Sequence, residues 1–234
     1  MQERGVLTLT AADGTEFSAA FAAPEADARV GVVVLPDVRG LHPYYVALAE
    51  RFAETGAAAV AIDYFGRTAG VCGDPGTRGE DFDFQAHIPR TTPEGIDADI
   101  TAAVGYLRER TSPGLPVVTV GFCFGGSHSW RQAGGNLDLA GCAGFYGKPQ
   151  IVGAAAERAH LPTVMAIAGA DAATPVADQL QLAETMRAAG AEVDAVVYDG
   201  APHSFFDRAH GEWAEACADA WRHVLALTDR VAAR

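Results

Sequence analysis

Residues 6–10 and 16–21 each alternate apolar with polar side chains, and Asp13-Gly14 between them is a turn signal. The chain therefore opens on a predicted antiparallel hairpin. Residues 30–35 and 57–62 are instead continuous apolar runs, the pattern of strands covered on both faces as in a parallel sheet. A helix is predicted over about 44–55, after Pro43 and before Gly56. A second, over 94–110, places Ile96, Ile100, Ala103, Val104 and Leu107 on one face. Further strands fit 116–120, 139–145, 163–168 and 192–198. Helices fit 125–133, 175–189 with Gly190 as the stop, and 212–231.

This alternation predicts an α/β fold: a single domain over 1–234 with a mostly parallel, doubly wound sheet and an N-terminal antiparallel hairpin. Such folds gather ligands at the carboxyl ends of their strands. The pattern fails over about 63–92, which is rich in Gly, Pro, Thr and charges and carries Tyr64, Phe65, Phe82 and Phe84. A loop this long is expected to act as a partly helical, cap-like segment.

Composition narrows the function classes. The 234 residues are 49% hydrophobic with 26 Gly and 12 Pro, which suits one well-cored domain and excludes a disordered or coiled-coil chain. Lys and Arg number 17 against 30 Asp and Glu, and the resulting charge of −13 repels nucleic acid and anionic membranes. No apolar run reaches about 18 residues and no leader pattern opens the chain, so a soluble cytoplasmic protein is expected. Cys72, Cys123, Cys142 and Cys217 form no CxxC pair, and HExxH, Walker and dinucleotide-binding motifs do not occur. Neither metal nor cofactor is implied; the expected partner is a small molecule, and the expected state a monomer or small homo-oligomer.

One segment carries chemistry on its face. Residues 117–120 are a predicted buried strand that runs into Gly121-Phe122-Cys123-Phe124-Gly125-Gly126 and then a helix. Strand, sharp turn and helix are the parts of a nucleophile elbow, here with Cys in the reactive position. A side chain at Gly121 or Gly125 is expected to collide with the turn or the next strand. The helix N-terminus favours thiolate at Cys123, and the backbone N–H of Phe124 is an oxyanion donor.

A thiol nucleophile needs a base and a group to orient that base, and in this architecture the chain order is nucleophile, acid, histidine. Asp171 follows the strand ending in Ala166-Ile167-Ala168-Gly169. His203 follows the strand ending at Tyr198 by way of Asp199-Gly200-Ala201-Pro202, and is the one histidine of seven with that setting. Asp199 and Asp178 are the rival acids, the first close to His203 in sequence and the second on a predicted helix. Tyr64, Phe82 and Tyr146, with Tyr44 and Phe205, are candidates to line an apolar pocket.

These motifs resemble the dienelactone hydrolases, or carboxymethylenebutenolidases, of the α/β-hydrolase superfamily. The resemblance rests on the elbow around Cys123, on Ala168-Gly169-Ala170-Asp171, on Pro202-His203-Ser204-Phe205 and on Leu35-Pro36-Asp37-Val38-Arg39-Gly40, and spans most of the chain. It implies a Cys123-His203-Asp171 triad that opens a lactone or cleaves a small carboxylate-bearing ester without a cofactor. It further implies that Asp37 regulates the resting thiol and that the N–H of Val38 is a second oxyanion donor. Arg78 and Arg208 are then the groups that bind a substrate carboxylate, with Arg67 and Arg39 as further candidates. Alternatives are a broader esterase or thioesterase and a non-catalytic ligand-binding protein of the same fold.

Overall fold

The computed structural model describes residues 3–73 and 76–234, in two compact units divided after Val117. The first begins with the hairpin of β1 (Glu3–Thr10) and β2 (Glu16–Ala23), paired antiparallel. Its turn closes through the Gly14 N–H on the Ala11 carbonyl at 2.9 Å, and Gly14 takes a φ of 85° that favours glycine there. Next come β3 (Val30–Leu35), α1 (Pro43–Glu54) and β4 (Ala57–Ile62). Strand β4 pairs parallel with β3 and antiparallel with β2, giving the order β1-β2-β4-β3. Every residue of β3 and β4 is buried, as continuous apolar runs require.

Helix α1 starts on Pro43 and turns Tyr45, Leu48, Ala49, Phe52 and Ala53 inward. The Nδ1 of His42 caps it by accepting from the Tyr44 N–H at 3.1 Å. Helix α2 (Pro93–Arg110) is capped by Thr92, whose hydroxyl accepts from the Gly95 N–H at 3.1 Å. Between β4 and α2 the chain makes short helical turns at Gly66–Ala69, Phe84–His87 and Ile88–Arg90. The part of the expected cap at residues 74 and 75 lies outside the described residues.

The second unit contains β5 (Val117–Phe122), α3 (Phe124–Gln132), β6 (Gly141–Phe145), β7 (Thr163–Ala168), α4 (Val176–Ala188), β8 (Val193–Tyr198) and α5 (Ala214–Ala232). Its four strands run parallel in the order β5-β6-β7-β8. Trp130, Cys142, Met165, Ile167, Leu182 and Met186 form the centre of its core. The sequence reading left residues 149–158 without an element. They form a helical turn at Pro149–Val152 and a 3-10 segment at Gly153–Arg158, whose Ala155 and Ala156 join that core. Gly134 makes the approach possible, since a Cβ there would sit 1.9 Å from the Ala155 carbonyl oxygen. The α/β class, the mostly parallel pairing and the N-terminal antiparallel hairpin are as the sequence predicts. No described helix is long and apolar enough to cross a membrane.

Candidate active site

Strand β5 stops at Phe122 and α3 starts at Phe124, leaving Cys123 alone at the corner with φ 53° and ψ −110°. A non-glycine residue in this region costs about 1–3 kcal/mol and is tolerated only where its surroundings hold it. They do so here through several hydrogen bonds. The Cys123 N–H donates to the Phe145 carbonyl at 3.0 Å, while its own carbonyl accepts from the Ser127 N–H at 3.0 Å and the Ser127 hydroxyl at 2.9 Å. That hydroxyl also accepts from the Lys148 N–H at 2.8 Å, tying the corner to the chain after β6. A Cβ on Gly121 would lie 2.1 Å from the Gly125 carbonyl oxygen, and one on Gly126 would lie 2.5 Å from that of Phe145. The turn and the neighbouring strand thus both exclude side chains. Cys123 is half-buried at the N-terminus of α3, where the positive end of the helix dipole favours negative charge.

Asp171 and His203 arrive from adjacent parallel strands. Beyond β7 and β8 the two loops are joined by the Gly169 N–H on the Tyr198 carbonyl at 2.9 Å and the Ala170 N–H on the Ala201 carbonyl at 2.8 Å. Only glycine fits at 169, because a Cβ would meet the Tyr198 carbonyl oxygen at 2.6 Å. This contact carries Asp171 to His203, whose Nδ1 lies 2.7 Å from Oδ2. The other carboxylate oxygen accepts from the N–H groups of Ala173 at 2.7 Å and Thr174 at 3.2 Å. The Asp171 side chain is fully buried, whereas the rivals Asp199 and Asp178 are exposed. A buried carboxylate on Nδ1 fixes the tautomer that leaves Nε2 as the proton acceptor.

Tyr146 follows β6 with φ 41° and is fully buried. Its ring lies 4.9 Å from the His203 ring, and its hydroxyl donates to Asp207 Oδ1 at 3.0 Å. Ser204, beside the histidine, also has positive φ, at 63°. Arg208 has an exposed side chain, and its N–H donates to the Ser204 carbonyl at 3.0 Å.

Phe205 is also fully buried in the second unit, and the remaining sequence candidates lie in the first. Asp37 is buried just after β3, its carboxylate gripped by Arg39 Nε at 3.0 and 2.9 Å and by the Arg39 N–H at 2.9 Å. Val38, next in the chain, is half-buried. The Tyr64 hydroxyl is directed to the carbonyls of Pro36 and Asp37. Arg78 pairs with buried Asp63 at 2.7 Å and lies 4.9 Å from the Phe82 ring centroid. Arg67 bridges Asp99 at 2.8 Å and Asp13 at 2.5 Å. Burial pushes the Asp99 carboxyl up to about 7 although Arg67 opposes it, and Arg67 holds exposed Asp13 well below the carboxylate range. Among the described residues no group of three or more His, Cys, Asp or Glu is placed to hold a metal ion.

The sequence analysis missed Ser127 as the brace of the corner and Asp207 as the partner of Tyr146. Neither carries a local signal, since each acts on a segment distant in sequence. The partners of the arginines were also missed, although Asp99 falls at helical spacing from Ile96 and Ala103, a carboxylate on an apolar face that signals a buried cation beside it.

The profile of the Dienelactone hydrolase family matches residues 17–231. Protein usf of Aquifex pyrophilus is 31% identical over 206 residues, covering 84% of this chain and 86% of that protein. A Salmonella typhi protein provisionally named carboxymethylenebutenolidase is 25% identical over 232 residues, covering 94% of this chain and 84% of its own. The crystal structure of a dienelactone hydrolase-like promiscuous phosphotriesterase from metagenomic libraries superposes with a TM-score of 0.78 at 22% identity, covering 97% of this chain and 98% of that one; this likeness is one of fold.

Proposed function

Because the chain belongs to the dienelactone hydrolase family and is a carboxylic ester hydrolase, we propose that it opens a lactone or cleaves a small ester through Cys123, His203 and Asp171. The observation that carries the reading is the 2.7 Å pairing of His203 with the buried carboxylate of Asp171, in the same unit as a cysteine held at a strained strand-to-helix corner. His203 takes the thiol proton as sulfur attacks the carbonyl carbon. The oxyanion is received by the N–H of Phe124 and, in this reading, of Val38. Collapse expels the alkoxide, which takes the proton from the imidazolium and leaves a thioester on Cys123. A water deprotonated by His203 then attacks the thioester, and the thiolate leaves and regains a proton. Asp171 keeps the imidazole in one orientation throughout, and Asp37 regulates the resting thiol.

In the same reading the substrate is a small molecule bearing a carboxylate near Arg78 or Arg208, beside Tyr64, Phe82 and Tyr146. The enzyme works in the cytoplasm as one domain, with residues 63–92 as cap, as a monomer or small homo-oligomer and without a cofactor. A second reading, an esterase or thioesterase indifferent to a substrate carboxylate, draws support from the guanidinium of Arg78, which is already paired with Asp63.

The test follows absorbance with a chromogenic acetate ester and with a dienelactone, for the parent and for Cys123→Ala. The proposal expects turnover by the parent and its loss in the variant; full activity in Cys123→Ala would falsify it. A high rate on dienelactone relative to acetate favours the carboxylate-bearing substrate, and the reverse favours the broader esterase.

A further inference from the structure

Gln179 is fully buried in the first turn of α4, and its Nε2 donates to the Thr174 carbonyl at 3.2 Å. The Thr174 N–H in turn donates to Asp171 Oδ1 at 3.2 Å, beside the Ala173 N–H at 2.7 Å. The chain of contacts ends on the histidine, since Asp171 Oδ2 is the oxygen paired with His203 Nδ1. Resting on the proposed hydrolysis, we infer that Gln179 is a positioning residue: it anchors the 171–174 turn to α4 and so fixes the rotation of the carboxylate that orients the base.

Two observations separate this role from simple packing. The Gln179 Oε1 and the Thr174 Oγ1 are both buried without a hydrogen-bond partner among the described residues. A buried polar atom left unpaired weakens the fold, so an apolar side chain of similar volume serves stability about as well as glutamine does. Helix α4 also follows Pro175 with no side-chain cap, so the Gln179 amide is what reaches back from its first turn to the loop bearing Asp171. A carboxylate held at both oxygens cannot rotate away from the imidazole without breaking the turn. With Gln179 removed, the turn loses its anchor while the hydrophobic surroundings stay filled.

The experiment compares Gln179→Met and Gln179→Leu with Asp171→Asn and the double variant Asp171→Asn/Gln179→Met on the hydrolysed ester. For Gln179→Met we expect kcat to fall about tenfold with KM little changed, the effect of a slightly misplaced catalytic group. The thermal midpoint should stay close to that of the parent, and in the Asp171→Asn background the second substitution should cost nothing further. Equal losses in both backgrounds, a rise in KM with kcat unchanged, or a fall in midpoint that tracks the fall in kcat for both Met and Leu would overturn the inference. Full activity in Asp171→Asn alone would instead overturn the triad reading on which it rests.

Discussion

The hydroxyl of Tyr146 donates to a carboxylate oxygen of Asp207 at 3.0 Å, and the ring that carries it lies 4.9 Å from the ring of His203. The contact ties the chain after β6 to the loop bearing His203. Tyr146→Phe keeps the ring and removes the tie, so it should cost about 1 kcal/mol in stability and lower kcat several-fold. Tyr146→Ala also opens a cavity in a fully buried site and should cost about 3–5 kcal/mol. Urea midpoints for the two variants check the ordering; equal losses would show that the hydroxyl bond, and not the ring, dominates.

Thiol reagents should single out Cys123. Cys142 is fully buried, and burial pushes its thiol up to about 12. Cys72 stands at about 11, through burial and through neighbouring Asp63. Cys217 is buried and donates its S–H to the Phe205 carbonyl. Iodoacetamide at pH 7.5 should therefore modify Cys123 first and abolish hydrolysis in step. Peptide mass mapping at partial inactivation decides it, and label on Cys72 ahead of Cys123 would contradict the prediction.

Two glycine-to-alanine changes should have opposite signs. At Gly121 the added methyl meets backbone at 2.1 Å, and a destabilisation of about 3 kcal/mol with loss of activity is expected. At Gly105, inside α2, the methyl meets nothing within 4 Å, and the change should stabilise by about 0.5–1 kcal/mol. Denaturant unfolding of both proteins is the check.

Asp99 supplies a pH signature. Its folded pKa of about 7 lies above the unfolded value of about 3.9, so the protonated form stabilises the fold at low pH. That contribution is lost as pH rises from about 4 through 7. Arg67→Met removes the facing charge, so the carboxyl of buried Asp99 rises further and the variant should lose stability as pH climbs above 7. The deficit should shrink towards pH 5, where Asp99 protonates, and widen towards pH 8. A deficit independent of pH would assign the loss to packing of the Arg67 side chain.

Strands 30–35, 57–62 and 163–168 have the bounds their apolar runs indicate, because a buried parallel strand leaves no room for polar interruptions. Residues 149–158 were invisible for the converse reason: a four-residue turn and a 3-10 segment are too short to show a helical period. Cys123, Asp171 and His203 stand out as candidates in the sequence because each follows a strand in a recognisable turn. Gln179, Ser127 and Asp207 do not, since their roles are hydrogen bonds to distant segments and depend on how strands and helices are brought together. For the arginines a sequence shows the charge but not its partner, and Arg39, Arg67 and Arg78 each hold a carboxylate of their own unit.

Strand β7, which leads to Asp171, is bonded on both sides by β6 and β8, whereas β8, which leads to His203, has β7 as its one neighbour among the described residues and only Tyr198 buried. Local opening follows bonding and burial, so of these two strands the one leading to His203 frays more readily. On warming, hydrolysis should fade before the fold melts, and amide protons of β8 should exchange ahead of those of β7. On cooling, activity should return at the rate of strand re-docking, because the corner that strains Cys123 never came apart.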